Sequence, residues 1–99
     1  GDITDSGVLA ITGTSTFTVA NSQSVILTES NTFSTMTFAA SGGGTILSVE
    51  INDSNAFDLK TLTTTGNLTV TAGGNITDSG TVTVGGDLAV TTNANSSTI

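Results

Sequence analysis

Cysteine, histidine, proline, tryptophan and tyrosine are all absent from this chain. Without cysteine there are no disulfide staples and no thiolate metal sites. Without cysteine and histidine, the usual nucleophile–base pairs cannot be built. Paired carboxylates are the remaining route to catalysis, as in β-helical enzymes that cleave polysaccharides. Those sites also grip substrate with aromatic and basic groups, and here there are four Phe at core-like positions and the single Lys60. The chain is therefore expected not to be an enzyme.

Basic charge is almost as scarce. One Lys stands against eight acidic residues, for a net charge of -7, which argues against nucleic acid and against anionic membrane surfaces as partners. No run of about 18 apolar residues is present, so no helical membrane span is expected. The chain opens on Gly1-Asp2-Ile3 rather than on Met and a basic segment, and reads as a piece of something longer, residues 1–99 forming a single segment of a repeat array. Charge is low overall, at 9%, and 35% of residues are hydrophobic and patterned. That composition points to a packed core rather than to disorder.

Threonine is the commonest residue, followed by Gly and Ser, with Val, Ile and Leu supplying the apolar content. These are residues of strands and turns. Four short copies recur: Ile3-Thr4-Asp5-Ser6-Gly7, Leu27-Thr28-Glu29-Ser30-Asn31, Ile51-Asn52-Asp53-Ser54-Asn55 and Ile76-Thr77-Asp78-Ser79-Gly80. They start at residues 3, 27, 51 and 76, in steps of 24, 24 and 25. The segments Val25 to Phe33 and Val49 to Phe57 extend the match, and residues 1–7 differ from 74–80 only at Asp2 and Asn75. Each copy holds three short runs of apolar residues alternating with small polar ones, the period of a strand, with Gly and Asn at the joins.

Three short strands per copy predict an all-β fold: a parallel β-solenoid of about four coils of about 24 residues, stacked about 4.8 Å apart. The expected coils are 1–24, 25–48, 49–73 and 74–99. Stacking would form two internal ladders, Ile3/Leu27/Ile51/Ile76 and Leu9/Phe33/Phe57/Val82. A third column, of less regular spacing, carries Phe17 and Val19, Ile46, Leu68 and Val70, and Leu88 and Val90. An antiparallel sandwich also has many short strands, but it does not require a strict register of this kind.

Taken as a block, residues 66–90 (GNLTVTAGGNITDSGTVTVGGDLAV) resemble the repeats of filamentous-haemagglutinin-like exoproteins and other giant bacterial surface adhesins. The resemblance implies a right-handed parallel β-helix exported to the cell exterior, acting as stalk, adhesin or matrix fibre.

Four sets of positions are candidate functional residues. Asp5, Glu29, Asp53 and Asp78 recur at one place in the copy, and stacking would align four carboxylates into a row able to hold calcium. The competing account is an Asx-type turn, each acid bonding nearby backbone amides where the strand bends. Two residues on stand Gly7, Asn31, Asn55 and Gly80, residue types suited to a turn with positive φ. Thr-x-Thr pairs such as Thr16/Thr18, Thr35/Thr37 and Thr81/Thr83 suggest an ice-binding face, although threonine is also the ordinary exposed strand residue. Asn52, Asn67, Asn75 and Asn95 begin N-x-Ser/Thr triplets, which arise readily by chance in this composition.

The expected function is that of an extracellular or cell-surface structural protein: a stalk, an adhesin segment, or a filament subunit stacking end to end on copies of itself or continuing as one long chain. The alternatives are a calcium- or glycan-binding adhesive module and, more remotely, an ice-binding solenoid. No cofactor other than calcium is expected.

Overall fold

The structure, a computed structural model, describes residues 1–93. It is all-β: β1 (Ile3–Thr4), β2 (Thr14–Val19), β3 (Gln23–Asn31), β4 (Thr35–Ala40), β5 (Ile46–Asp53), β6 (Phe57–Leu59), β7 (Leu62–Thr64), β8 (Leu68–Ala72), β9 (Ile76–Asp78), β10 (Val82–Val84) and β11 (Leu88–Thr92), with one turn of 3-10 helix at Ser41–Gly43. Every pairing between these strands is parallel. Parallel neighbours cannot be joined by a hairpin. The chain instead winds, each strand returning above its predecessor, and makes about four coils of a β-solenoid.

One face stacks β1, β3, β5, β8 and β11, and a second stacks β2, β4, β6 and β9. A shorter column, β7 and β10, closes the upper coils. Alternation places the core: β8 reads buried, half-buried, buried, half-buried, buried along Leu68-Thr69-Val70-Thr71-Ala72. Val25, Leu27, Phe33, Met36, Val49, Ile51, Phe57, Leu62, Leu68, Val70 and Ile76 join in one buried cluster. Each such side chain contributes about 1.5–3 kcal/mol by leaving water. Phe17 adds ring contacts, edge-on to Phe33 at 5.8 Å and stacked on Phe38 at 5.7 Å.

Register departs from a uniform step of 24. Leu27 does stack on Ile51. Ile3, however, pairs with Val25 at a step of 22, and Ile51 pairs with Val70 at a step of 19. Ile76 lies in the other sheet, beside Phe57. The expected first ladder is thus split over three columns, and Ile3/Val25/Val49/Leu68/Leu88 takes its place. The second ladder is split too, because Val82 stacks on Leu62. Phe33 and Phe57 both remain in the core, but β4 and β6 pair with Asp58 beside Thr35, one residue out of step with a Phe33–Phe57 pair.

The physical cause is coil length. In β3 a register shift between Leu27 and Asn31 takes up extra residues, and the corner after β4 runs through Gly42 and Gly43 at φ 64° and 71°, a backbone that glycine adopts without strain. The upper coils turn on tighter glycine corners, and β8 to β11 repeats at 20 residues. A five-residue motif recurring every 24 or 25 residues therefore falls on one face in the first coil and on the other in the fourth.

Candidate functional site

The polar residues inside and along the solenoid are used to clamp one coil to the next. Along the edge that leads into the first face, the residue before each stacked apolar position carries a side-chain oxygen: Asp2, Ser24, Ser48, Asn67 and then Asp87. Asp2 Oδ1 accepts from the Ser24 amide (2.8 Å). Ser24 Oγ accepts from the Ser48 amide (3.3 Å). Ser48 Oγ accepts from the Asn67 amide (3.1 Å), and Asn67 Oδ1 from the Asp87 amide (2.9 Å). All four bonds run the same way, from lower side chain to upper backbone, and replace water at amides that the corner would otherwise leave unpaired.

The far end of the first face uses the opposite polarity. Asn31, fully buried, accepts from the Leu9 amide of the coil below through Oδ1 (2.8 Å) and donates through Nδ2 to Asp5 Oδ2 (2.7 Å). One coil higher, Asp53, 1% exposed, accepts from the Phe33 amide below through Oδ2 (2.9 Å) and from the Asn55 amide through Oδ1 (3.0 Å). With its amide nitrogen turned inward, Asn55 donates a further bond to Asp53 Oδ1 (2.7 Å). Burial raises the Asp53 carboxyl above its ordinary value, and the backbone donors at Asn55, Phe33 and Ser54 pull partly the other way.

This geometry does not form a carboxylate row. Asp5 accepts from the amides of Thr28 and Glu29 on the next coil (3.0 and 3.3 Å). Asp53 stands level with Asn31 rather than with Glu29. Asp78 lies on the second face beside Leu59. Glu29 is exposed. Among the described residues no group of three acidic side chains is placed to hold a metal ion. The calcium row follows from the uniform 24-residue step, and it is undone by the same change in coil length that splits the ladders.

The turn positions are used differently from expectation as well. Among the described residues positive φ occurs at Gly13, Ser22, Gly42 and Gly43, and not at Gly7, Asn31, Asn55 or Gly80. Asn31 is a strand residue chosen for its side chain. Gly80 answers to close approach, since a Cβ there would lie 2.6 Å from the Thr61 amide nitrogen. Asp53 bonds the amide two residues on, as an Asx turn does.

Threonines do come into register on the second face, Thr14 beside Thr35 and Thr16 beside Thr37. The array spans two strands and gives way to Ala39 beside Thr18 and to Asp58 beside Thr35. Asn52 donates its amide to the Thr28 carbonyl (3.3 Å), Asn67 belongs to the ladder of corners, and Asn95 lies outside the described residues.

At the upper end the core opens. Leu59, Leu68, Ile76, Val82, Leu88 and Val90 line a recess of about 280 Å³, and Leu88 is 59% exposed. At the lower end the inward residues Ile3, Leu9, Ile11 and Phe17 are half-buried. Sequence reasoning missed the corner ladder. Its signal was present: Gly66-Asn67-Leu68-Thr69-Val70-Thr71 recurs as Gly86-Asp87-Leu88-Ala89-Val90-Thr91 at a step of 20, the register that the upper coils adopt.

A family described as repeats of unknown function (DUF5649) has a model that matches residues 1–40 and 43–99. The break between the two matched segments falls in the corner at Ser41–Gly43. No curated protein and no solved structure matches the chain.

Proposed function

The chain belongs to this family of repeats of unknown function, and from that premise we propose that it is an extracellular structural protein, a β-solenoid stalk or filament segment whose coils continue from one repeat unit into the next. The observation that carries this reading is the economy of its polar groups. Asp2, Asn31, Asp53, Ser24, Ser48 and Asn67 all spend their side chains on holding coil to coil. The outer edges of β1 and β11 carry no strand partner among the described residues. An open parallel edge with its apolar column showing is a template for one more coil.

The reading assigns the protein mechanical length rather than catalysis. It places the chain outside the cell because a threonine-, serine- and glycine-rich shell of low charge suits an exposed fibre and the resemblance to exoprotein repeats points the same way. An adhesive role through a bound glycan is the second form of this proposal, and the described surface offers it no aromatic platform: Phe33, Phe38 and Phe57 are buried and Phe17 packs against two of them.

Cryo-EM or X-ray fibre diffraction of the assembled protein tests the reading. Coils running without interruption from unit to unit at an axial spacing of about 4.8 Å are expected. Discrete particles without an axial repeat, at concentrations up to the millimolar range (about 1 mM), would refute it.

A further inference from the structure

We propose that Asp53 and Asn55 form a proton-responsive latch inside the solenoid: Asn55 turns its side-chain nitrogen to the Asp53 carboxylate and its side-chain oxygen to the Asp53 carboxylic acid, and in both states Asp53 keeps hold of the Phe33 amide on the coil below. The latch lies within one chain and is independent of how repeat units join.

The two oxygens of Asp53 serve different partners. Oδ2 accepts from the Phe33 amide at 2.9 Å, the bond that ties this coil to the one below. Oδ1 accepts from the Asn55 amide at 3.0 Å, and one terminal atom of the Asn55 side-chain amide stands 2.7 Å from it and 3.2 Å from the Ala56 carbonyl oxygen. The nitrogen and oxygen of such an amide are close to the same size, so a half-turn about the last side-chain bond exchanges them without moving the backbone. With nitrogen inward, Asn55 donates to both oxygens, which suits an ionised Asp53. A proton added at Oδ1 makes that atom a donor, and the same 2.7 Å contact then serves with the amide oxygen as acceptor. Ala56 is exposed, so water takes over at its carbonyl, and Asn55 is exposed, so the outer end of its amide is solvated in either orientation. Oδ2 is untouched by the exchange and goes on accepting from Phe33.

The surroundings favour the neutral acid. Asp53 is 1% exposed, with Asn31 of β3 beside it in the coil below and Ala72 of β8 beside it in the coil above. Neither β8 nor residues 54–56 carry a titratable side chain. The acidic groups of the lower coils on this side are Asp5, which reaches the column through Asn31 Nδ2, and Glu29, exposed on β3. Of the acids on its own side of the chain, Glu50 is exposed on β5 and Asp58 is taken up by the hydroxyls of Thr77 and Ser79. The single Lys60 binds the Met36 carbonyl through its backbone amide on the second face. Burial without a neighbouring cation accordingly raises the Asp53 carboxyl. One coil below, Asn31 holds the Leu9 amide with an uncharged side chain, so the clamp needs an oxygen and not a charge. The latch therefore holds in acid, and its stabilising contribution declines as pH rises through the raised value.

A pH titration of the parent chain by carbon-13 and nitrogen-15 NMR, paired with amide hydrogen exchange, tests the latch. The side-chain carbonyl and amide signals of Asn55 should shift with the same midpoint as the Asp53 carboxyl, and the Phe33 amide should keep its protection factor on both sides of that midpoint. In Asp53→Asn, whose Nδ2 stands in for the protonated Oδ1, the Asn55 signals should stay at their acid-state position at every pH. Asn55 signals that are flat across the Asp53 midpoint would overturn the exchange of orientation. A Phe33 protection factor that falls about ten-fold or more on one side would overturn the two-state clamp. An Asn55 shift that persists in Asp53→Asn would assign the titration to another group and overturn the pairing.

Discussion

Asn31 is the residue on which the lower half of the solenoid most depends for polar satisfaction, and its replacement gives the sharpest test of the coil-clamping account. The side chain is fully buried. Its Oδ1 is the acceptor for the Leu9 amide at 2.8 Å, and its Nδ2 donates to the Asp5 carboxylate at 2.7 Å. Asn31→Ala strands the Leu9 N–H, at about 1–3 kcal/mol, and removes a bond to a charged acceptor worth about 1.5–3 kcal/mol. These terms overlap, because Leu9 and Asp5 sit near the accessible first coil, and a net loss of about 2–4 kcal/mol is expected. Asn31→Asp behaves differently. It keeps an oxygen for Leu9, as Asp53 does for Phe33, but sets a second carboxylate against Asp5, and its penalty shrinks as acid protonates one of the pair. Urea unfolding followed by circular dichroism, at neutral pH and near pH 4, gives both numbers. A loss under about 0.5 kcal/mol for Asn31→Ala, or an Asn31→Asp penalty that does not change with pH, would refute the clamp.

Other outcomes follow from the same structure. Burial raises the Asp53 carboxyl, so the folded chain holds that proton to higher pH than the unfolded chain; its stabilising contribution is fully present below the ordinary value of 3.8 and is lost as pH rises through the raised one. Carbon-13 NMR of the side-chain carboxyls should show Asp53 titrating above the ordinary aspartate value of 3.8, a signal absent in Asp53→Asn. Gly66→Ala forces a Cβ to within 2.6 Å of Ser48 Oγ and 2.7 Å of the Leu47 oxygen and should cost about 1–3 kcal/mol. Gly7→Ala meets nothing within 4 Å and has no positive φ, so thermal melts should show it neutral or stabilising by up to about 1 kcal/mol. Leu27→Ala, in the closed core, should cost about 2–5 kcal/mol, while Leu88→Ala, 59% exposed, should leave monomer stability nearly unchanged. Added calcium should not move the melting temperature, since Asp5 and Asp53 accept from separate backbone amides and Asp78 lies on the other face.

The buried polar residues show how a solenoid of this composition holds together with four Phe and no disulfide. Hydrophobic columns supply the driving force, but they tolerate sliding by two residues, because a strand's inward face repeats at that interval. Asn31 and Asp53 on one side, and the ladder from Asp2 to Asp87 on the other, each bond to one particular amide on the neighbouring coil. Such bonds penalise a slipped register by leaving a donor unpaired.

Alternation and repetition made the architecture readable from the amino acids alone. Runs such as Leu68-Thr69-Val70-Thr71-Ala72 have one buried face whatever their neighbours are, and a chain of short alternating runs in near-regular copies has few ways to bury them other than coiling. The absence of histidine, cysteine and all but one basic residue likewise bounded the chemistry before any coordinate was known. Register was another matter. Whether Ile76 stacks on Ile51 or on Phe57 depends on how many residues each corner consumes, and that is decided by packing: the shift after Leu27, the Gly42–Gly43 turn and the tight contacts at Gly66 and Gly86. A short motif is a local property and keeps its spelling on either face, so Asp5 and Asp78 share a pattern and not a place. Only the wound chain, in which each coil is the template for the next, shows Asn31 and Asp53 buried against the neighbouring coil.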